Sequence, residues 1–192
     1  MATEQTIHQY NGLLLLTSYL HRMYIAEQLK ASFAHTSLAS AAELRSLLDD
    51  VHMLRARFEQ SQQLHPTEQQ QLLHISADTK RLIEHYMPSE QATFLEKVAI
   101  VTATMFGEKE MNDGVLRLQQ LFQLKISDDF YARIPFYRER TQAMDRVVQH
   151  LECNEPIPKS IKQLVHSWYE NIYNQSNLVS VDLARIDELV LS

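Results

Sequence analysis

Between Phe130 and Arg140 the sequence reads Phe-Tyr-Ala-Arg-Ile-Pro-Phe-Tyr-Arg-Glu-Arg, with four aromatic residues and three arginines in eleven positions around one proline. Two kinds of chemistry use that mixture. Tyr and Arg join a large contact area to a polar end, which makes them anchors of protein interfaces. Rings flanked by guanidinium groups also hold single-stranded nucleic acid, the bases stacking while the arginines hold phosphates. Residues 130–146 carry four arginines against two acids, a net +2, while the whole chain carries −6, so the remainder stands at −8. An acidic remainder repels a phosphate backbone, which disfavours nucleic acid and favours a basic protein as partner. The expected partner-binding residues are Tyr131, Arg133, Phe136, Tyr137, Arg138 and Arg140. Tyr169 joins them, turned to solvent beside a core Trp168. The plain alternative makes Phe130, Ile134, Tyr137 and Tyr131 core residues and leaves the arginines solvated.

Other chemistry-bearing residues are scattered. Cys153 follows His150 by one helical turn, a spacing at which imidazolium can stabilise thiolate, but a half-buried thiol beside a surface histidine is the commoner arrangement. A di-iron bundle needs paired Glu-x-x-His motifs. The nearest approach is a lone Asp49-x-x-His52, and no two histidines stand three or four residues apart. His74 with Asp78, and His166 with Glu170, fit surface hydrogen bonds. No metal and no cofactor are therefore expected. His21, mid-helix in an apolar stretch, is the one candidate axial ligand if the helices enclose haem or another apolar molecule. Asp49-Asp50 and Asp128-Asp129 are sequence neighbours that point to different sides of a helix, so neither forms an acid–base pair.

These residues must be positioned by helices. The chain has only three glycines in 192 residues (Gly12, Gly107 and Gly114), too few for phosphate-cradling loops or hairpin-rich β folds. Apolar spacing of three and four predicts a first helix through the run Leu13–Leu29, with a capping-box pattern at Thr6–Gln9; Asn11-Gly12 interrupts that opening, so the helix either starts after it or carries a weak point there. A second helix follows Ser40-Ala41-Ala42-Glu43, with the stripe Leu44, Leu47, Val51, Leu54 and Phe58. A third opens at Pro66 after a glutamine-rich corner, and Pro88 suits the first turn of a fourth. That fourth helix buries Phe94, Val98, Val101 and Met105 and is expected to stop at Gly107, a residue suited to a left-handed C-cap. Residues 107–114 then read as a long connection, followed by a fifth helix from Val115 to Lys125. Ser127-Asp128-Asp129 caps a sixth, which Pro135 should kink or split. The next helix carries the stripe Ile161, Leu164, Val165, Trp168 and Ile172. Asn174–Asn177 reads as a loop, and Leu178–Leu191 is a last short element expected to be helical, although its valines also allow a strand.

The expected fold is therefore all-α: a single-domain antiparallel helical bundle of seven to eight helices over residues 1–192, with 107–114 as the one place where it could divide. One cysteine allows no internal disulfide, the first basic residue is Arg22, and the longest uncharged apolar stretch is nine residues, Val98 to Phe106. A membrane span needs about 20, so a cytoplasmic protein without membrane contact is expected. With no nucleophile motif, the expected function is non-enzymatic. It is that of a protein-binding module of adaptor, anti-factor, chaperone or immunity type, docking a basic partner, and homo-oligomerisation is compatible with it. The alternatives are a bundle enclosing haem through His21 and, more weakly, a nucleic-acid regulator using Arg133, Arg138 and Arg140.

Overall fold

The computed structural model describes the chain apart from residues 1–2, 35–40 and 124–127, and gives the backbone alone at 34 and 128–137. The described residues form seven α-helices: α1 (Glu4–Ala34), α2 (Ala41–Ser61), α3 (Pro66–Ile83), α4 (Phe94–Phe122), α5 (Asp128–Glu152), α6 (Lys159–Asn174) and α7 (Asn177–Leu191). A 3-10 turn, Glu84–Tyr86, extends α3, and no strand occurs among the described residues. No helix is long and apolar enough, among the described residues, to cross a membrane.

Two long helices, α1 and α4, pack antiparallel through the middle. Leu14 meets Gly114, and Ser18 and Arg22 meet Gly107, so α1 rises as α4 descends. Around the first half of α1, the helices α2, α3 and α7 and the last turns of α4 bury one core, including Leu13, Leu20, Leu44, Val51, Phe58, Leu72, Leu118 and Ile186. In that core Tyr10 packs against the rings of Phe58 and Phe122. Its hydroxyl donates to Glu59 at 2.9 Å and accepts from Arg55 Nε at 3.2 Å, and burial pushes its pKa up to about 12. A second core lies between the first half of α4, α5 and α6, built on Val98, Val101, Met105, Met144, Val147, Val165 and Tyr169.

The helix boundaries correct the glycine reading. Helix α4 passes through both Gly107 and Gly114, so residues 107–114 are not a connection and there is no separate helix from Val115. Helix α1 likewise runs across Asn11-Gly12. Each glycine sits where two helices nearly touch. A Cβ at Gly107 would lie under 3.0 Å from three Arg22 side-chain atoms, and one at Gly114 would overlap Leu14 Cδ2. A Cβ at Gly12 would stand 3.1 Å from Val190 and 3.3 Å from Leu189. Gly107 and Gly114 are one heptad apart and share the α1-facing stripe of α4.

With the glycines inside helices, other residues take the left-handed C-cap. Gln62, Gln123 and Asn154 all have positive φ, 59°, 53° and 54° respectively. At the end of α5, Glu155 N–H donates to His150 O at 2.8 Å and Asn154 N–H to Leu151 O at 3.3 Å, a Schellman arrangement. Helix α1 is capped by Thr3, whose Oγ1 accepts from Thr6 N–H at 3.1 Å, rather than by Thr6 itself. Helix α4 starts at Phe94 rather than near Pro88, because Thr93 and Glu96 form a reciprocal capping box. Helix α5 is continuous through Pro135 and is not split there. Ser40 and Ser127, the other expected caps, lie outside the described residues. The last element is helical, as α7.

Candidate functional site

The aromatic–arginine segment falls on the first part of α5. The side chains of Tyr131, Arg133, Phe136 and Tyr137 lie outside the described residues. Arg138 is exposed, whereas Arg140 turns inward. Its guanidinium lies 5.6 Å from the centroid of the Trp168 ring, and its Nη1 is 3.7 Å from Glu108 Oε2. The expectation for Trp168 and Tyr169 is reversed. Tyr169 is the core residue, 3% exposed, and Trp168 is half-buried. The Tyr169 hydroxyl donates to Ser89 O at 2.6 Å and accepts from Ser89 N–H at 2.7 Å, which ties α6 to the connection before α4. The α6 stripe is therefore centred on Val165 and Tyr169, and Leu164 is exposed.

Glu108 and Arg140 belong to a part-buried charged cluster completed by Arg22 on α1. Burial raises the Glu108 pKa above the usual carboxylate range, against the opposing pull of Arg140 and Arg22. Removing solvent from a carboxylate favours its neutral form unless close cations compensate. Here the nearest cation stands beyond hydrogen-bond reach, and Glu108 Oε2 is buried without a hydrogen-bond partner among the described residues. The Arg22 stem crosses Gly107, its guanidinium carbon lies 4.8 Å from the Tyr19 ring centroid, and its Nε is likewise buried without a hydrogen-bond partner among the described residues. Ser18 Oγ donates to Gly107 O at 2.8 Å and holds the two helices at this crossing.

Arg22 and Tyr19 also line a cavity of about 50 Å³ where the two cores meet. Its other walls are mostly apolar, among them Met23, Ile83, Met87, Ile100, Ala103 and Val179. Tyr19 donates to Asp182 at 2.5 Å, Tyr86 donates to Glu27 at 2.7 Å, and Thr104 donates to Ile100 O at 2.8 Å. Ile83, Met87 and Val179 continue from this cavity into a surface groove of about 300 Å³ between the end of α3 and α7. The groove is completed by Lys80, Glu84, Ser180, Leu183 and Ala184. Beyond its edge, the outer side of α7 exposes Leu178 by 49% and Val181 by 60%, and Leu191, at the end of the helix, is 62% exposed.

The remaining candidates do not converge. His21 is half-buried on α1 near His52, Glu110 and Lys109, and burial lowers its pKa. It does not line the cavity, whose walls contain no histidine. Cys153 is exposed at the C-cap of α5, and the His150 ring is hydrogen-bonded to Glu155 at 2.7 Å. His166 lies against Lys97 and the Phe94 ring rather than Glu170. No group of three or more His, Cys, Asp or Glu converges among the described residues. Sequence reading missed Arg22, Glu108, Gly107 and the exposed α7 face. A glycine directly before an acid in an apolar helix was the available signal for the first crossing. The α7 face was signalled by too many apolar residues for one buried stripe.

No family model matches this chain, and neither a curated protein nor a solved structure is found to be similar to it.

Proposed function

We propose that this protein is a non-enzymatic docking module that receives an apolar, basic-rimmed segment of a partner protein on the outer face of α7. One observation carries the reading: Leu178 and Val181, one turn apart on the same side of a fifteen-residue helix, are 49% and 60% exposed. Single exposed apolar residues are ordinary, but a contiguous set along one helix face is a feature of interaction surfaces. The sign of the partner follows from local charge. Helix α7 carries Asp182, Asp187 and Glu188 against Arg185, a net −2, and the chain as a whole is at −6. Opposite charge on the partner speeds encounter and is screened by salt.

This reading keeps the class of function expected from the sequence and moves its surface from α5 to α7. Of the α5 residues, Arg140 is engaged inside the fold, and Tyr169 on α6 is bonded to Ser89. No observation favours haem at His21 or nucleic acid at the arginines. The test places a photocrosslinking benzoyl-phenylalanine at position 181 in native lysate. A basic protein should crosslink, the adduct should vanish with Leu178→Asp, and its yield should fall between low and 0.5 M salt. Crosslinking to this chain alone, no adduct, or an adduct indifferent to Leu178→Asp would each overturn the proposal.

A further inference from the structure

We infer that the groove between the end of α3 and α7 holds the anchor of the docked partner segment: one large apolar side chain with a lysine or arginine beside it that pairs with Glu84. The inference rests on the docking reading above and names the part of the partner that this surface selects. The groove, about 300 Å³, has an apolar floor of Ile83, Met87, Val179 and Leu183. Its lips are Lys80 and Glu84 on the α3 side and Ser180 and Ala184 on α7. Ser180 and Ala184 are short and exposed, and Ile83, Met87 and Val179 on the floor are only half-buried. Ala184 follows Val181 by three residues, which makes them neighbours on the helix surface. The exposed pair Leu178 and Val181 therefore leads round α7 to the lip of the groove.

Charge selects what flanks the anchor. Of the two charged residues that line the groove, Lys80 is already engaged. Its Nζ is paired with Asp187, whose other carboxylate oxygen accepts from Ser76 Oγ at 2.7 Å. Glu84 is exposed and has no hydrogen-bond or ion-pair partner among the described residues. Glu188, one turn beyond Ala184 on α7, is exposed in the same way. Arg185 is the one cation of α7, and a single helical step of about 100° turns it from Ala184 toward the Leu178 side. Asp182, on the far side of the helix, accepts from Tyr19. Glu84, Glu188 and Arg185 together carry one net negative charge, so an acidic flank would meet like charge at the mouth and a basic one its opposite. Sites for free small molecules place several polar groups that fix orientation. Here Lys80 is occupied, and Glu84 and Ser180 stand on the lips. Apolar contact with one charge suits a side chain whose backbone is held elsewhere, on Leu178 and Val181. Anchors of interfaces fill such pockets, ringed by weaker contacts that exclude water.

The experiment follows the methyl resonances of Met87, Val179 and Leu183 in the full chain by NMR at neutral pH. The probes are acetyl-Lys-Ala-Phe-Ala-Lys-amide, the same peptide with Ser in place of Phe, and the same peptide with Glu in place of both Lys. The first should shift all three methyls saturably and bind at least fivefold more tightly than either of the others. Glu84→Gln should weaken it threefold or more and narrow its advantage over the acidic peptide. Ala184→Trp, on an exposed lip, should fill the mouth of the groove and remove the shifts while circular dichroism shows the helices intact. Absence of a saturable shift, equal binding of the three peptides, or full binding by Ala184→Trp would overturn the inference. Crosslinking at position 181 fails separately. An adduct there with unresponsive groove methyls sinks this inference and leaves the docking surface standing, whereas shifted methyls without an adduct sink the docking surface and keep the groove's choice of an apolar residue with a basic neighbour.

Discussion

Replacing Gly107 with alanine sets two known effects against each other, and the structure decides the sign. Alanine is preferred over glycine inside a helix by about 1 kcal/mol. Against this, the new Cβ would meet Nε, Cγ and Cδ of Arg22 at under 3.0 Å. These are atoms of the stem, not the tip, so a small swing of the guanidinium does not relieve the contact. Either Arg22 leaves its place over the Tyr19 ring, or α1 and α4 move apart and lose the Ser18 to Gly107 hydrogen bond. Overpacking costs about 1–3 kcal/mol, and a lost hydrogen bond adds about 1. The expected net effect is a loss of about 1–2 kcal/mol. In an Arg22→Ala background the obstacle is gone and the same substitution should stabilise by up to ~1 kcal/mol. The sign reversal corresponds to a coupling of about 2–3 kcal/mol, within the range found for residues in direct contact. Urea unfolding followed by circular dichroism measures all four proteins, and an unchanged m value shows that the denatured state is not the source. A stabilising Gly107→Ala in the parent chain, or an equal effect in both backgrounds, would refute the close-approach explanation.

Gln62→Gly should stabilise by up to ~1 kcal/mol, because glycine accepts the left-handed C-cap that Gln62 holds at φ 59°. At this chain length the gain reads as a rise of about 2–4 °C in Tm by differential scanning calorimetry. Tyr169→Phe removes both hydrogen bonds to Ser89 and should cost about 1–3 kcal/mol by denaturant titration, with faster amide exchange around Ser89 than elsewhere. Glu108 has a raised pKa in the fold, so the native state holds its proton more tightly than the unfolded chain does. Its contribution is full at low pH and is lost as pH rises through the folded pKa. The stability of Glu108→Gln relative to the parent should therefore increase from pH 4 to pH 7, and a flat difference would contradict the burial of that carboxyl. His21 works in the opposite direction: its pKa is lowered, so it favours the fold above its unfolded pKa and this is lost as pH falls. His21→Gln should flatten the stability loss between pH 7 and pH 5.

The helical fold class was legible because apolar residues recur at three and four. Leu44, Leu47, Val51, Leu54 and Phe58 form the buried stripe of α2 as spacing alone requires. Pro66 at the start of α3 and the glutamine corner before it were legible for the same local reasons. What local reasoning misplaced was Gly107 and Gly114. Glycine's permissive backbone makes a helix end the economical guess for Gly107, yet its lack of a side chain also makes it the only residue that fits a crossing with Arg22. Only the partner helix, more than eighty residues earlier, distinguishes the two uses. The Thr93-x-x-Glu96 capping box was present in the sequence, and reading it would have moved the start of α4 away from Pro88.

The candidate sites were illegible for a related reason. Arg22, Glu108, Arg140 and Trp168 belong to four different helices, and none is unusual within its own segment. Arg140 looked like one member of a basic surface run because Arg133 and Arg138 are near it in sequence. One-turn geometry sends Arg138 to solvent and Arg140 inward to Glu108. The same argument applies to α7. Leu178 and Val181 stand out as a candidate surface only once the inward face, Leu183, Ile186, Leu189 and Val190, is known to be filled by α1 and α3. A fifteen-residue helix needs one apolar stripe to attach to its fold. This one carries apolar residues on two sides, and on the second Leu178 and Val181 stay about half exposed or more, which is why we propose a partner for it.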